Sequence, residues 1–493
     1  MAGVDTARSV PRRPRSRVIP PQVPYRAAVN STFRFRPSVT ALAGPPKRVD
    51  ELLLLLRGHG GRVALDSAAG SPARWSVVGF DPLKTSPVEP SLSGLRDFVA
   101  RVELSAGDPI PGPFSGGFLG ALSYELGVAG ERPVWHATDP WNSPRIAGGL
   151  FVDFVVIDHA DAKWWLVLDA ESSDGRRELE ARRGRILSEL NAKLPSLDEQ
   201  PARVEVVRQV SSTEHQRRIE CARESIANGD YYQANLAHRF LAKTEREPDE
   251  LYRALREANP APYMAYLEWG GDCSERGALL SASPELLLEF DGERAMTRPI
   301  KGTARRSQDP FEDAQLARDL LASEKDRAEL AMIVDLERND LGRVAAIGTV
   351  EVGEFPRLES FASVHHLVAD VVCQVREDVD AVTVLEALFP GGSITGAPKL
   401  AAMAAIATHE GEGRGFFTGS LGFLDFHGRA NFNILIRTIV WRPGEVSFHV
   451  GGGITWASDA EAEDRETWDK ARALVAAITG QELQKTEVVN HEQ

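Results

Sequence analysis

Several ionisable side chains fall at spacings that could make one reactive surface. In Asp459 to Ile478, helical geometry of about 100° per residue brings Glu463, Glu466 and Lys470 within roughly 60° of one another. Trp468, Ala471, Val475 and Ile478 form a neighbouring apolar stripe. Two carboxylates and an amine so placed can hold a hard cation and pin a substrate carboxylate. The alternative is a solvated face with an i, i+4 Glu-to-Lys pair. Asp326 and Glu329 repeat the theme at i, i+3, just ahead of the apolar run Leu330 to Val334. Two such pairs converging would suffice for magnesium, which needs only one or two carboxylates besides water and substrate oxygens.

Lys301 lies between Pro299 and Gly302-Thr303. Burial in such a turn would lower its pKa and make the amine nucleophilic, whereas an exposed lysine would stay charged. Upstream, Glu285 sits between two strand-like runs, either a buried general acid or an ordinary turn residue. The run PGGSITGAPK (390–399) fails as a phosphate loop, because Ala397 and Pro398 separate the last glycine from Lys399. Its backbone amides still suit a carboxylate, and so do those near Gly451, Gly452 and Gly453; a tight turn is the alternative for each.

The elements that must position these groups are legible in part. A helix is expected from Asp50 to Leu56, then strands at 62–65, 75–79, 151–157 and 164–168, and a surface helix over 172–190. Lys193 to Glu205 is the linker candidate. A helix capped by Ser212 or Thr213 follows, with Gly229 closing it. Tyr231 to Phe240 alternates as a strand, placing Gln233, Asn235 and Ala237 on one face. Further helices are expected at 311–321, 325–336 and 459–478, and a strand at 446–450. Helices mixed with non-consecutive strands predict an α+β fold.

The chain has 493 residues, 43% of them apolar, and 26% charged, which is a globular composition with room for two large domains. No apolar run approaches the ~18 residues of a membrane span. The formal net charge is −14, but residues 1–48 carry ten Lys/Arg against Asp5, a local +9 that leaves −23 for the rest. So acidic a body disfavours nucleic acid and anionic lipid as partners. Cys221, Cys273 and Cys373 are too scattered for a disulfide framework or a zinc site, consistent with a reducing cytoplasm. The Pro/Arg-rich start has no apolar signal core; a disordered tail is expected, and an organellar transit peptide is the alternative. The expected organisation is a tail over 1–48, an N-terminal subdomain over 49–200, a catalytic domain over 206–480 and a short tail over 481–493.

Nine segments, in order, carry a resemblance: YYQANL, SASPE, RPIKGT, MIVDLERNDLGRV, VHHL, FPGGSITGAPK, GSLGFLDF, NILIRT and GGGITWASDAEAEDRETWDKA. Together they resemble the chorismate-utilising enzymes, the family of anthranilate synthase component I, aminodeoxychorismate synthase component I, isochorismate synthase and salicylate synthase. The resemblance covers about residues 212–480, and ALDSA, RWSVVGF and FSGGFLGALSYEL extend it into the more variable N-terminal half. It implies an anthranilate synthase component I-like fold, with two subdomains whose large antiparallel sheets form an orthogonal sandwich with helices outside. It also implies that Glu329, Glu463 and Glu466 bind Mg2+, with Asp326 where some members have another acid. Arg437 and Lys470 match groups that bind substrate carboxylates, helped by Gly452, Gly453 and Thr303. His366 matches the active-site histidine, and His365 is expected to be structural.

Two positions separate chemistries within the family. Members that add water to chorismate resemble one another in a lysine base at the position of Gln233, and an amide cannot abstract that proton. Anthranilate synthases typically read PIAGT where this chain reads PIKGT, so it is most similar to the aminodeoxychorismate synthases. The implied reaction is amination of chorismate at C4, with Lys301 as nucleophile, Glu285 as acid and Gln233 lining the site. No cysteine lies in the elbow a glutaminase needs, so a separate glutaminase subunit is the expected ammonia source. Phe417 departs from the Tyr or Trp of several relatives, and ALDSA departs from the LLES-type segment with which anthranilate synthases bind tryptophan, leaving Ser67 a candidate for such binding.

Overall fold

The computed structural model describes residues 33–68, 74–85, 90–128, 137–171, 176–195, 204–270, 276–361 and 364–481. Two large sheets dominate, one of twelve strands and one of nine, with a three-stranded sheet beside them. Pairing is antiparallel within all three. Both large sheets draw strands from either side of residue 200: Val63–Asp66 pairs with Tyr263–Trp269 in one, and Gly117–Leu122 with Ser420–Asp425 in the other. No helix among the described residues is long and apolar enough to cross a membrane.

The twelve-stranded sheet is buried on both faces. Along Phe154–Asp158, Phe154 and Val156 enter one core while Val155 and Ile157 enter another; Met264 to Leu267 alternate in the same way. A period of two therefore supplies two cores at once, so these strands read as unbroken apolar runs. The first core joins the two sheets, with Phe114 stacked edge-on against both Phe154 and Phe423 at 5.0 and 5.4 Å. The second attaches the helices Val49–Leu55, Pro248–Ala258 and Ala460–Thr479. Each buried Leu, Val or Phe contributes roughly 1.5–3 kcal/mol to that attachment.

Several expectations need correction. Residues 33–41 belong to the fold, not to a tail: Pro37–Ala41 pairs with Lys163–Asp169, and the Arg36 amide donates to Asp169 Oδ1 at 3.0 Å. A short strand with little apolar pattern is fixed by the neighbour it pairs with. Residues 1–32 and 482–493 lie outside the described residues, as do 172–175 and 196–203 of the expected helix and linker. The strand expected at 151–157 is two, Ile146–Phe151 in the nine-stranded sheet and Phe154–Asp158 in the twelve-stranded one. The chain changes sheets at Val152-Asp153, where the buried Asp153 accepts from the Asp169 amide at 2.9 Å. Ser211, rather than Ser212 or Thr213, caps the helix Ser212–Ala227, accepting from the Glu214 amide at 3.2 Å. The helix expected at 325–336 continues to Gly342, because Glu337, Asp340 and Leu341 are buried on its inner face.

One buried ion pair ties the catalytic half together. Arg414 donates to both oxygens of Glu410, at 2.6 and 2.9 Å, and also to Asn235 O and Ile394 O at 2.6 and 3.2 Å. Arg414→Ala leaves Glu410 buried and uncompensated, so stability should fall by about 3–5 kcal/mol. Urea denaturation measures this, and a midpoint unchanged from the parent would contradict it.

Candidate active site

Strand Ile300–Arg305 pairs with Val364–Val368, and the register slips between Lys301 and Thr303. Gly302 sits at the slip with φ +75°, where a Cβ would come within 2.9 Å of Asp326 Cβ. Only glycine lets the strand lie so close to the helix Glu324–Gly342, which carries Asp326 and Glu329.

Lys301 Nζ donates to Ser393 O at 3.2 Å. Burial pushes its pKa below the ordinary lysine value, against the opposing pull of Glu285 and Glu329. Glu285 is only 4% exposed, and its Oε1 accepts from the Ile300 amide at 3.3 Å. Burial raises its carboxyl, with Ser393, Lys301 and Arg437 pulling the other way. For both groups desolvation outweighs their mutual attraction and shifts each pKa in favour of the uncharged form. Arg437 has φ +52°, a left-handed conformation that costs a non-glycine residue about 1–2 kcal/mol. Burial lowers its pKa and Glu285 opposes this.

Helix Ala460–Thr479 starts at its Asp459 cap, which accepts from the Ala462 amide at 2.9 Å, and ends at Gly480. Of the expected apolar stripe, Ala471, Val475 and Ile478 are buried and Trp468 is half-buried, edge-on to Phe240 at 5.1 Å. Asp464 anchors the helix through Arg208 Nη2 and His215 Nδ1, at 2.5 and 2.8 Å. Glu463 Oε1 accepts from Ser458 Oγ at 2.8 Å, and Lys470 Nζ reaches both Glu466 Oε1 and Gly451 O at 2.8 Å. The glutamate-to-lysine pair is thus present, and it lies against the sheet.

The glycine triplet is no turn. Gly451, Gly452 and Gly453 continue the strand Glu445–Ile454, opposite Ala237, Leu236 and Asn235. A Cβ on Gly452 would stand 3.2 Å from Glu463 Oε2, and one on Gly453 2.5 Å from Gln233 Nε2. The missing side chain of Gly452 admits the glutamate, and that of Gly453 admits the amide.

Burial raises the carboxyls of Glu329 and Glu463, and the nearby Glu466 adds to both shifts. Glu466 feels the same burial, yet Lys470 holds its carboxyl below the ordinary value. Partly desolvated carboxylates that repel one another are the kind of ligand a hard divalent cation takes. Asp326 lies beside Glu329 and takes a hydrogen bond from Ser323 Oγ at 2.5 Å.

Gln233 is fully buried, and neither amide atom has a hydrogen-bond partner among the described residues. His366 Nδ1 meets Thr303 Oγ1 at 2.9 Å, while its buried Nε2 has no such partner. His365 is engaged on both nitrogens, by Ser360 Oγ at 2.7 Å and Asp313 Oδ1 at 3.1 Å, and is structural. Phe417 stacks on His449 at 5.0 Å. Ser67 stands apart from this cluster, its hydroxyl donating to Trp75 O at 2.7 Å. Ser393 and Glu337 lie inside the ordered motifs with no role legible from spacing; the fold brings the Ser393 carbonyl to Lys301 and Glu337 to the Gly392 amide.

Burial holds the His366 imidazole at about 3, with the Arg437 charge acting in the same direction. Between that value and ~6.5 the unfolded chain binds the extra proton, so the stability contributed by the neutral ring is complete above ~6.5 and lost as pH falls towards 3. The ring resonances of His366 should not titrate between pH 5 and 8 in histidine-labelled protein. A midpoint within that range would contradict the neutral assignment.

Residues 66–476 match the chorismate binding enzyme family. Anthranilate synthase component 1 of Streptomyces coelicolor is 39% identical over 428 residues, covering 83% of this chain and 82% of that protein. Aminodeoxychorismate synthase component 1 of Bacillus subtilis is 34% identical over 449 residues, 87% of this chain and 93% of that protein. The crystal structure of anthranilate synthase component I from Streptococcus pneumoniae superposes with a TM-score of 0.73 at 28% identity, covering 82% of this chain and 93% of that one. The ordered motifs, the shared fold and these identities lead to one conclusion: this chain belongs to the chorismate binding enzyme family.

Proposed function

We propose that the protein aminates chorismate at C4, as an aminodeoxychorismate synthase component I. The observation that carries this reading is the buried pair of Lys301, with its lowered pKa, and Glu285, with its raised one. Glu285 protonates the departing C4 hydroxyl as the neutral Lys301 amine attacks C2; the ring double bonds shift and water leaves. Ammonia then adds at C4, the double bonds shift back and the lysine departs, giving 4-amino-4-deoxychorismate with the pyruvyl ether intact. Two allylic displacements replace one difficult substitution.

Arg437 and Lys470 receive the substrate carboxylates, and Gln233 offers its unpaired amide to the incoming ammonia or the ring. Glu329, Glu463 and Glu466, with Asp326 beside them, would hold Mg2+, which supplies positive charge to offset a substrate carboxylate. A separate glutaminase subunit would deliver the ammonia. Anthranilate synthesis is the second reading, favoured by the 39% identity to an anthranilate synthase component 1.

Incubation with chorismate, Mg2+ and ammonium, followed by mass analysis, should give 4-amino-4-deoxychorismate; anthranilate as the main product would replace the first reading by the second. Lys301→Ala should lower its formation by at least about a hundredfold, and unchanged turnover would remove the nucleophile role. Chelation by EDTA should abolish turnover and added Mg2+ restore it, whereas full activity in EDTA would refute the metal assignment.

A further inference from the structure

Lys301 and Glu285 share a neighbour from a distant segment of the chain. Ser393 lies in the short helical turn Gly392–Thr395, its carbonyl accepting from Lys301 Nζ at 3.2 Å. Its buried hydroxyl makes no hydrogen bond among the described residues, yet it lies near enough to Glu285 to counter the upward push of burial on that carboxyl. What fixes this turn therefore fixes the relation between amine and acid.

Besides Arg414, which donates to Ile394 O at 3.2 Å, one side chain reaches the turn from the helix Glu324–Gly342. Glu337, 2% exposed on helix Glu324–Gly342, accepts from the Gly392 amide through Oε1 at 2.9 Å. Gly392 has no room to move towards the helix, since an added Cβ would stand 2.6 Å from Leu336 Cδ2 and 2.9 Å from Glu337 Oε1. The carboxylate that this amide receives is thus the protein's own. Glu337 Oε2 makes no hydrogen bond among the described residues, and Lys399 Nζ is taken by Asp340 Oδ2 at 2.5 Å and Leu388 O at 3.0 Å. Burial raises the Glu337 carboxyl to about 7, Lys399 opposing and Asp340 adding to the shift. In either protonation state Oε1 can accept from Gly392.

We propose that Glu337 is a positioning residue for the reacting pair: it holds the 391–395 turn by the Gly392 amide, and the turn holds Lys301 against Glu285 through Ser393. The inference rests on the reading in which Lys301 is the nucleophile, and it names the residue that sets its geometry. Its substance is an acceptor atom at one place, so charge is dispensable and reach is not.

Three variants separate those requirements. Glu337→Gln keeps an acceptor of the same length, Glu337→Asp keeps the charge but falls short of Gly392, and Glu337→Leu removes the acceptor. Steady-state kinetics with chorismate, Mg2+ and ammonium should show Gln within about threefold of the parent in kcat. Asp and Leu should lose about ten- to a hundredfold in kcat, as expected for a misplaced reacting group, with KM for chorismate within about twofold. Amide exchange of 391–395 should be slow in the parent and Gln variants and faster in the Asp variant, which keeps the proposal testable if Leu fails to fold. Gln losing as much kcat as Asp, or Asp keeping parental kcat and exchange, would overturn it. Lys301→Ala tests the nucleophile reading separately: unchanged turnover there would defeat that reading, while the kcat and exchange of the Glu337 variants would still decide whether the turn is held from this side chain.

Discussion

Burial of the twelve-stranded sheet on both faces is the constraint from which the rest of the architecture follows. Alternate residues of its strands feed two cores, one shared with the nine-stranded sheet and one covered by helices. Polar side chains reach into such a sheet where they are paired or where neighbouring side chains are missing. Gly451 to Gly453 make such a place, and Glu463 and Gln233 occupy the space that Cβ atoms would have filled. The same logic operates at Gly302, where strand and helix close to a distance no other residue allows. The site is an opening left by glycines in an otherwise sealed stack.

Inside that opening, desolvation competes with charge pairing, and the outcome differs from group to group. Lys301 and Glu285 each stabilise the other's charged form, yet burial wins for both, moving the amine and the acid towards neutrality. Glu466 goes the other way because Lys470 is in direct contact. Glu329 and Glu463 have only weaker compensation, and their carboxyls stay raised. Lysines and glutamates thus acquire opposite or unequal pKa shifts by placement alone.

Much of the fold and the site was legible in the residues, but unevenly. Helix Ala460–Thr479 was readable from its Asp cap, its terminal glycine and a stripe at helical spacing, all local signals. The strand Pro37–Ala41 was not, since its pattern is weak and its partner lies more than a hundred residues away. Nor was the change of sheet at Val152-Asp153, because two-sided burial erases the alternation that would mark it. Among site residues, Lys301 and Glu285 were legible through ordered motifs; taken singly, each admitted an exposed or turn reading. Ser393 and Glu337 stood in the same motifs without a role, because no spacing rule links a helix to a turn 55 residues later.

The sequence by itself determined the family, the α+β class, the amphipathic helices and the list of chemically capable residues, because these depend on residue type and short-range period. Tertiary structure alone decided which strands share a sheet, that the glycine triplet continues a strand, and that Ser393 stands between Lys301 and Glu285. It also decided the protonation bias of that pair, since a pKa shift is set by what surrounds a group in space. Burial and long-range contact have no local signature, and the chemistry of this site is made of both.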